Sequence, residues 1–138
     1  MLKVLKIYLF LRKIILKHTI MGKPQKCISE TEARKLHDNW VNSRANHIQQ
    51  GRGTEDAREV VYSVEELEEY LAYVKSESAK QGINKPGIRI YFAAYDTPAS
   101  DKATVFLAPT ESGDVNSDNN YKIDAYNFGT SGWPPYNY

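Results

Sequence analysis

Arg89, Tyr91 and Tyr95 share one parity within the apolar run GIRIYFAAY, residues 87–95. If that run is a strand, the three side chains lie on one face. A guanidinium set among aromatic rings is a charged head in an aromatic setting. Trp40 and Arg44 stand four apart on an expected helix and are spaced to stack in the same manner. Trp40, Arg44, Arg89, Tyr91 and Tyr95 are therefore the candidate ligand-binding residues, and their chemistry suits an anion or a partner's carboxylate. A plainer reading competes with this one: Arg89 pairs with an internal acid and the tyrosines cover the sheet.

Other reactive side chains form weaker patterns. Cys27 precedes a helix start, where a thiolate is stabilised. A nucleophile also needs a base within hydrogen-bond reach. His37 lies on the same helix roughly 15 Å away at 1.5 Å per residue, and His47 is farther, so Cys27 reads as non-catalytic. His37 and His47 do not have the i, i+4 spacing of a helical metal pair, and the neighbours His37 and Asp38 are expected to point apart. Asp114, Asn116 and Asp118 match the first half of a calcium loop, in which alternate oxygens converge on one hard cation. Asn119 then replaces the turn glycine and Ala125 the bidentate glutamate, so a solvated loop is favoured. Glu65, Glu66, Glu68 and Glu69 crowd a helix start, where negative charge complements the backbone dipole. Trp133-Pro134-Pro135-Tyr136 favours an extended, polyproline-type conformation. Asn137 stands where a PPxY ligand would need Tyr, and the aromatic tail is expected to pack back on its own domain.

The elements that must position these residues are signalled locally. Ser29 with Glu32 and Ser63 with Glu66 are capping boxes. The first predicts a helix from about Glu30 to Gln49, stopping near Gly51, with Ala33, Leu36, Trp40, Val41, Ala45 and Ile48 at helical spacing. The second opens a helix with Val64, Leu67, Leu71 and Val74, and Tyr70 beside them, as its buried stripe, closed by Gly82 and Pro86. Glu59–Tyr62 reads as a short strand, and Ile88–Tyr95 and Thr104–Ala108 as an antiparallel hairpin. A final strand is expected over Tyr121–Phe128. The strand, helix, strand order from Val60 to Tyr95 suggests a right-handed βαβ crossover.

The segments GIRIYFAAY (87–95), TVFLAPT (104–110) and GWPP (132–135) resemble a small uncharacterised bacterial protein family. EARKLHDNWVNSR (32–44) and REVVYSVEELEEYL (58–71) are similar to it as well. The resemblance spans nearly all of 28–138 and implies a stand-alone domain, without an activity, cofactor or ligand.

The 138 residues carry 18 basic and 17 acidic side chains, a net charge of +1. Residues 1–20 hold Lys3, Lys6, Arg12, Lys13 and Lys17 and no acid, so the remainder has 18 − 5 = 13 basic against 17 acidic residues, a charge of −4. An acidic domain argues against nucleic acid, which selects a basic footprint. A single cysteine makes no internal disulfide, consistent with a reducing, cytoplasmic setting. The basic leader, 1–21, reads either as a mis-assigned start with Met21 as the true one, or as an amphipathic helix lying on an anionic membrane. A cleaved or spanning segment is the less favoured option, since internal lysines interrupt it.

These observations predict an α+β chain. Two main helices pack on a three- to four-stranded mixed, largely antiparallel sheet, with a separate basic amphipathic N-terminal helix. Residues 22–138 are expected to form one domain with an aromatic tail. No cofactor, catalytic set or nucleic-acid partner is implied, and membrane contact follows only if residues 1–20 are retained. The expected function is a non-enzymatic binding or protein-interaction module, through a protein partner or self-association, because ten tyrosines and two tryptophans are residue types enriched at interfaces. The alternative is a small-molecule or anion-binding protein, or an enzyme, with a site around Arg89 and Tyr91. Mass spectrometry of the native protein tests the start: a mass beginning at Met21 is expected, and an intact mass including 1–20 overturns it.

Overall fold

The computed structural model describes residues 22–127 and 129–138; the expected basic helix over 1–20 lies outside them. The chain divides into two units, one ending at Leu36 and the other running His37–Tyr138. In the first unit, Ser29 Oγ accepts from the Glu32 N–H at 3.2 Å, and the Ser29 N–H donates to Glu32 Oε2 at 2.8 Å. This reciprocal box opens helix α1 (Glu30–Trp40), and a Glu30–Arg34 ion pair spans its first turn.

The helix does not stop at Trp40. A π-helical turn, Val41–Ala45, joins it to α2 (Asn46–Arg52). Ser43 Oγ donates to the Asn39 carbonyl four residues back, which competes with the backbone ladder there and accompanies the wider turn. Gly53 ends the helix with φ 80°, a left-handed conformation that favours glycine. Trp40, Val41, Ala45 and Ile48 are half-buried, but Leu36 of the expected stripe is exposed.

Helix α3 (Val64–Lys80) opens on the second capping box, with Ser63 Oγ accepting from the Glu66 N–H and Glu66 reaching back to the Ser63 N–H. Its close is a full Schellman motif: Ile83 N–H to Ser78 O and Gly82 N–H to Ala79 O, with Gly82 at φ 76°. The buried face is rotated from the expected one. Tyr70, Val74 and Ser78 are buried, whereas Val64 and Leu71 are exposed. Leu67 packs at the margin, so the operative stripe is 67, 70, 74, 78.

Four short strands are described, in two antiparallel pairs rather than one sheet. The first pair is β1 (Val60–Val61) with β4 (Thr130–Ser131). The second is the hairpin β2 (Gly87–Ala94) with β3 (Ala103–Thr110), which aligns Arg89 with Ala108 and Tyr91 with Phe106. Because β1 pairs with the tail and not with β2, the expected βαβ crossover does not form. Nor is the described part of the expected strand over 121–128, residues 121–127, regular. Lys122, Ala125 and Tyr126 do not repeat one alternation, and only Tyr126 bridges to Leu107, with both backbone bonds made at 2.8 and 2.9 Å. The tail packs back on its unit as anticipated: Gly132 N–H donates to Glu59 O, and Trp133 lies under Lys102 Nζ at 4.1 Å. Gly129 has no room for a side chain, since an added Cβ would meet Val60 and the Tyr62 ring.

The core of this unit lies between α3 and β3. Tyr70, Val74, Leu107 and Ile123 are buried together, with Tyr62, Leu67, Ile88, Val105 and Tyr126 against them. Fully burying one such side chain contributes about 1.5–3 kcal/mol. Tyr70 stacks on Tyr126 with centroids 4.7 Å apart. Its single hydroxyl proton is shared between the Leu107 carbonyl at 3.1 Å and the Asp124 carbonyl at 3.0 Å. Among the described residues no helix is long and apolar enough to cross a membrane.

Burial pushes the Tyr70 phenol up to about 12, with the neighbouring Tyr73 and Asp124 adding smaller effects. The folded state therefore holds a proton that the unfolded chain releases near its ordinary value of about 10. Stability from this group is complete below pH 10 and is lost as pH rises toward 12. Tyr70→Phe is expected to cost about 1 kcal/mol at pH 7 and to flatten the alkaline decline, as read by denaturant unfolding across pH.

Candidate functional site

The hairpin has two edges with opposite characters. Leu107 sends both backbone groups to Tyr126, so the odd residues of β3 face away from β2. Most of those groups are satisfied one by one. Asp56 Oδ1 accepts from the Ala103 N–H at 2.8 Å, and Ser131 Oγ donates to the Ala103 carbonyl at 3.1 Å. Asn127 Nδ2 donates to the Val105 carbonyl at 2.6 Å, and the Asn120 N–H donates to the Pro109 carbonyl at 2.8 Å. Pro109 has no N–H to lose. By the same alternation, Ile88, Ile90, Phe92 and Ala94 direct their backbone groups away from β3. Among the described residues no backbone hydrogen bond reaches them. Ile90 and Phe92 are also 61% and 83% exposed.

The expected site residues are dispersed over three places. Trp40 stacks on Phe92, with centroids 5.9 Å apart, and lines a small cavity of about 40 Å³ with Glu55–Arg58. Its ring partner is Phe92, not Arg44, whose guanidinium donates to the adjacent Ser43 hydroxyl at 3.2 Å. Tyr95 is at the hairpin end, its hydroxyl donating to Asn127 Oδ1 at 2.6 Å. Arg89 and Tyr91 share the other face of β2, as their parity required.

Arg89 does not meet an acid. Its Nη1 donates to Asn119 Oδ1 at 2.6 Å, and its Nη2 donates to the carbonyls of Ser117 at 2.7 Å and Val115 at 3.0 Å. It thereby organises the loop after β3. Asn119 Nδ2 in turn donates to the Tyr91 hydroxyl oxygen at 2.7 Å. The direction of this chain is fixed, because a guanidinium only donates. Asn119 must present its oxygen to Arg89 and its NH₂ to Tyr91. The Tyr91 oxygen accepts, and its own proton has no acceptor among the described residues. The Asn119 bond first, and then the Arg89 guanidinium, hold the Tyr91 phenol below its usual range.

Tyr91 stacks on Phe106 with centroids 4.9 Å apart and planes inclined by 16°. The pair floors a groove of about 410 Å³, with Ala108 and Pro109 beside it and Asn119, Tyr121 and Asp124 along its wall. Arg89 lines a separate cleft of about 150 Å³ with Thr110, Ser112 and Asp114.

The calcium-like loop is tied up internally. The Ser112 hydroxyl donates to Asp114 Oδ2 at 3.1 Å, the Ser117 N–H to the Asp114 carbonyl at 3.0 Å, and the Glu111 N–H to the Asp118 carbonyl at 3.0 Å. Among the described residues no three His, Cys, Asp or Glu side chains converge as a metal site. His37 Nδ1 is 3.7 Å from Asp38 Oδ1, so these two side chains approach rather than diverge. Cys27 is exposed.

Asn119, Phe106 and Asp56 carry the local architecture and were not singled out by the sequence. Asn119 lies in a polar run that reads as solvated loop. The one available signal was Phe106, whose parity in TVFLAPT places it opposite Tyr91 once the hairpin register is known. Asp56, its carboxylate nearly buried, accepts from both the Ala57 and Ala103 N–H groups and faces Arg52 at 3.7 Å.

Asn119→Ala removes the joint between Arg89 and Tyr91. A loss of about 1–3 kcal/mol in unfolding free energy is expected, the cost of leaving hydrogen-bonding groups without partners. In the same variant the Tyr91 phenol moves up toward its ordinary range, read by NMR titration of labelled tyrosine.

Comparison with protein-family models, with curated proteins and with solved structures finds no match to this chain.

Proposed function

We propose that this chain is a non-enzymatic protein-interaction module that works by strand addition at the outer edge of β2, with a second copy of itself as the partner. The observation that carries the reading is the bare edge beside Ile90 and Phe92, which display apolar side chains and unpaired backbone together. Unprotected edges of this kind invite a further strand. Edge strands that stay single carry charges, proline or a bulge; β2 has none on its outward residues Ile88, Ile90, Phe92 and Ala94. The contrast with β3, whose outer edge is mostly capped by side chains and loops, supports β2 as the edge for a partner.

The edge is also self-complementary. Outward residues pair only with outward residues in an antiparallel ladder. A two-fold axis at Tyr91 sets Ile90 against Phe92 of the second copy, twice, and Ile88 against Ala94. Aromatic–β-branched pairs of this kind each contribute about 0.2–1 kcal/mol. The exposed Lys85 precedes β2 and the exposed Asp96 follows it. Antiparallel pairing brings unlike charges together at both ends, whereas parallel pairing sets like against like. The arrangement is an isologous, closed contact.

Analytical ultracentrifugation of the full chain should show a concentration-dependent dimer. Phe92→Lys and Ile90→Lys each introduce an edge charge at an exposed position and are expected to weaken dimerisation about tenfold or more; Ile90→Lys, which leaves the Trp40–Phe92 stack in place, is expected to leave circular dichroism unchanged. A wild-type chain that stays monomeric at about 0.1 mM, well above the micromolar range of ordinary association, or a dimer indifferent to both substitutions, overturns the reading.

A further inference from the structure

We propose that the groove floored by Tyr91 and Phe106 is a binding site for a flat aromatic molecule bearing a phenol or phenolate oxygen, which accepts the hydroxyl proton of Tyr91. The site is separate from the proposed interaction edge, because Tyr91 projects from the face of β2 opposite to Ile90 and Phe92.

Shape, polarity and charge each narrow the ligand. The groove volume of about 410 Å³ falls within the range that takes small molecules. Its floor is a nearly parallel ring pair, and Ala108 and Pro109 continue it without a polar group. A flat ring gains most there, by offset stacking on the exposed part of that surface. The polar contact is set by the chain from Arg89 through Asn119. Tyr91 accepts from Asn119 Nδ2, which also reaches the Tyr121 hydroxyl at 3.5 Å, so the group Tyr91 has left to turn to the groove is its O–H. The ligand must therefore supply an acceptor. The Asn119 bond, and then the nearby Arg89 guanidinium, make that phenol a stronger donor than an isolated tyrosine and favour an acceptor with negative charge.

Asp124 limits how much charge is tolerated. It lies on the groove wall, and its backbone carbonyl is held by Tyr70, which anchors the residue at the rim. A carboxylate there repels a doubly charged group such as a phosphate monoester. A single oxygen that is neutral or singly ionised satisfies both ends. Tyr121, 89% exposed on the same wall, offers a second ring against which the ligand can close.

The test uses the full chain and 4-nitrophenol, whose phenol and phenolate forms differ in visible absorbance. Wild type is expected to bind it saturably and to raise its phenolate fraction at fixed pH, since the Tyr91 proton stabilises the ionised oxygen. Tyr91→Phe retains the ring and the stack and should lose about tenfold in affinity together with the absorbance change. Asp124→Asn should bind the probe more tightly. Nitrobenzene, which keeps the nitro group but lacks the phenol oxygen, is expected to bind no better to wild type than to Tyr91→Phe. The proposal is overturned if 4-nitrophenol shows no saturable binding, if Tyr91→Phe binds it as well as wild type, or if nitrobenzene and 4-nitrophenol bind alike. None of these results depends on whether the chain dimerises.

Discussion

The outer edge of β3 is the constraint around which the larger unit is organised. Buried backbone groups must find partners, and β3 is the most buried of the strands, with Thr104, Leu107, Ala108 and Thr110 all buried. Among the described residues no regular strand lies on that side. Instead Asp56, Ser131, Asn127, Tyr126 and Asn120 each satisfy one or two groups. This requirement draws in the segment before β1, the tail, and the loop between β3 and β4. The loop after β3 that supplies Asn120 to this edge also supplies the groove wall.

Two chemically different surfaces follow from that arrangement. Because the loop after β3 folds over one face of the hairpin, Tyr91 and Phe106 become the floor of a groove, with a hydrogen-bond chain whose direction is dictated by the donor-only guanidinium of Arg89. The segments that supply hydrogen bonds to an outer strand edge go to β3, and among the described residues none does so for β2. One face gains a directed donor in an aromatic setting, and one edge is left apolar with unused backbone. Both are consequences of the same unequal distribution of chain between the two strands.

The hydrogen bonds that build the groove run mostly to backbone carbonyls or between uncharged amides and hydroxyls. This is why Arg89 was legible as an unusual residue but its partners were not. A pairing with an acid leaves a charge-complementary pattern in the sequence; a carbonyl of Ser117 or Val115 leaves none. Asn119 is one of several polar residues in a loop, and nothing in its neighbours distinguishes it. Trp40 and Arg44 had the correct helical spacing, but the π turn that begins at Val41 changes the angular relation across that spacing, and Phe92 takes the Trp40 ring.

The amino-acid sequence by itself determined the elements whose signals are local. Both capping boxes open helices, Gly82 closes one, and the alternation in 87–95 and 104–110 produces the hairpin. Each rests on contacts a few residues apart or on a periodicity that one segment carries. It also determined that Arg89 and Tyr91 share a face. Tertiary structure alone decided the rest. β1 and β4 are two residues long and about seventy residues apart, too short to carry a periodicity, and their pairing depends on closing the chain across the whole unit. Segment 121–127 supplies one bridge instead of a strand because side chains and turns meet the needs of β3 first. The buried face of α3 is set by where Leu107 and Ile123 sit, which moves the stripe from Val64 and Leu71 to Tyr70, Val74 and Ser78. The candidate surfaces belong to this second class, since they exist only where segments remote in sequence meet, or fail to meet, at the two edges of one hairpin.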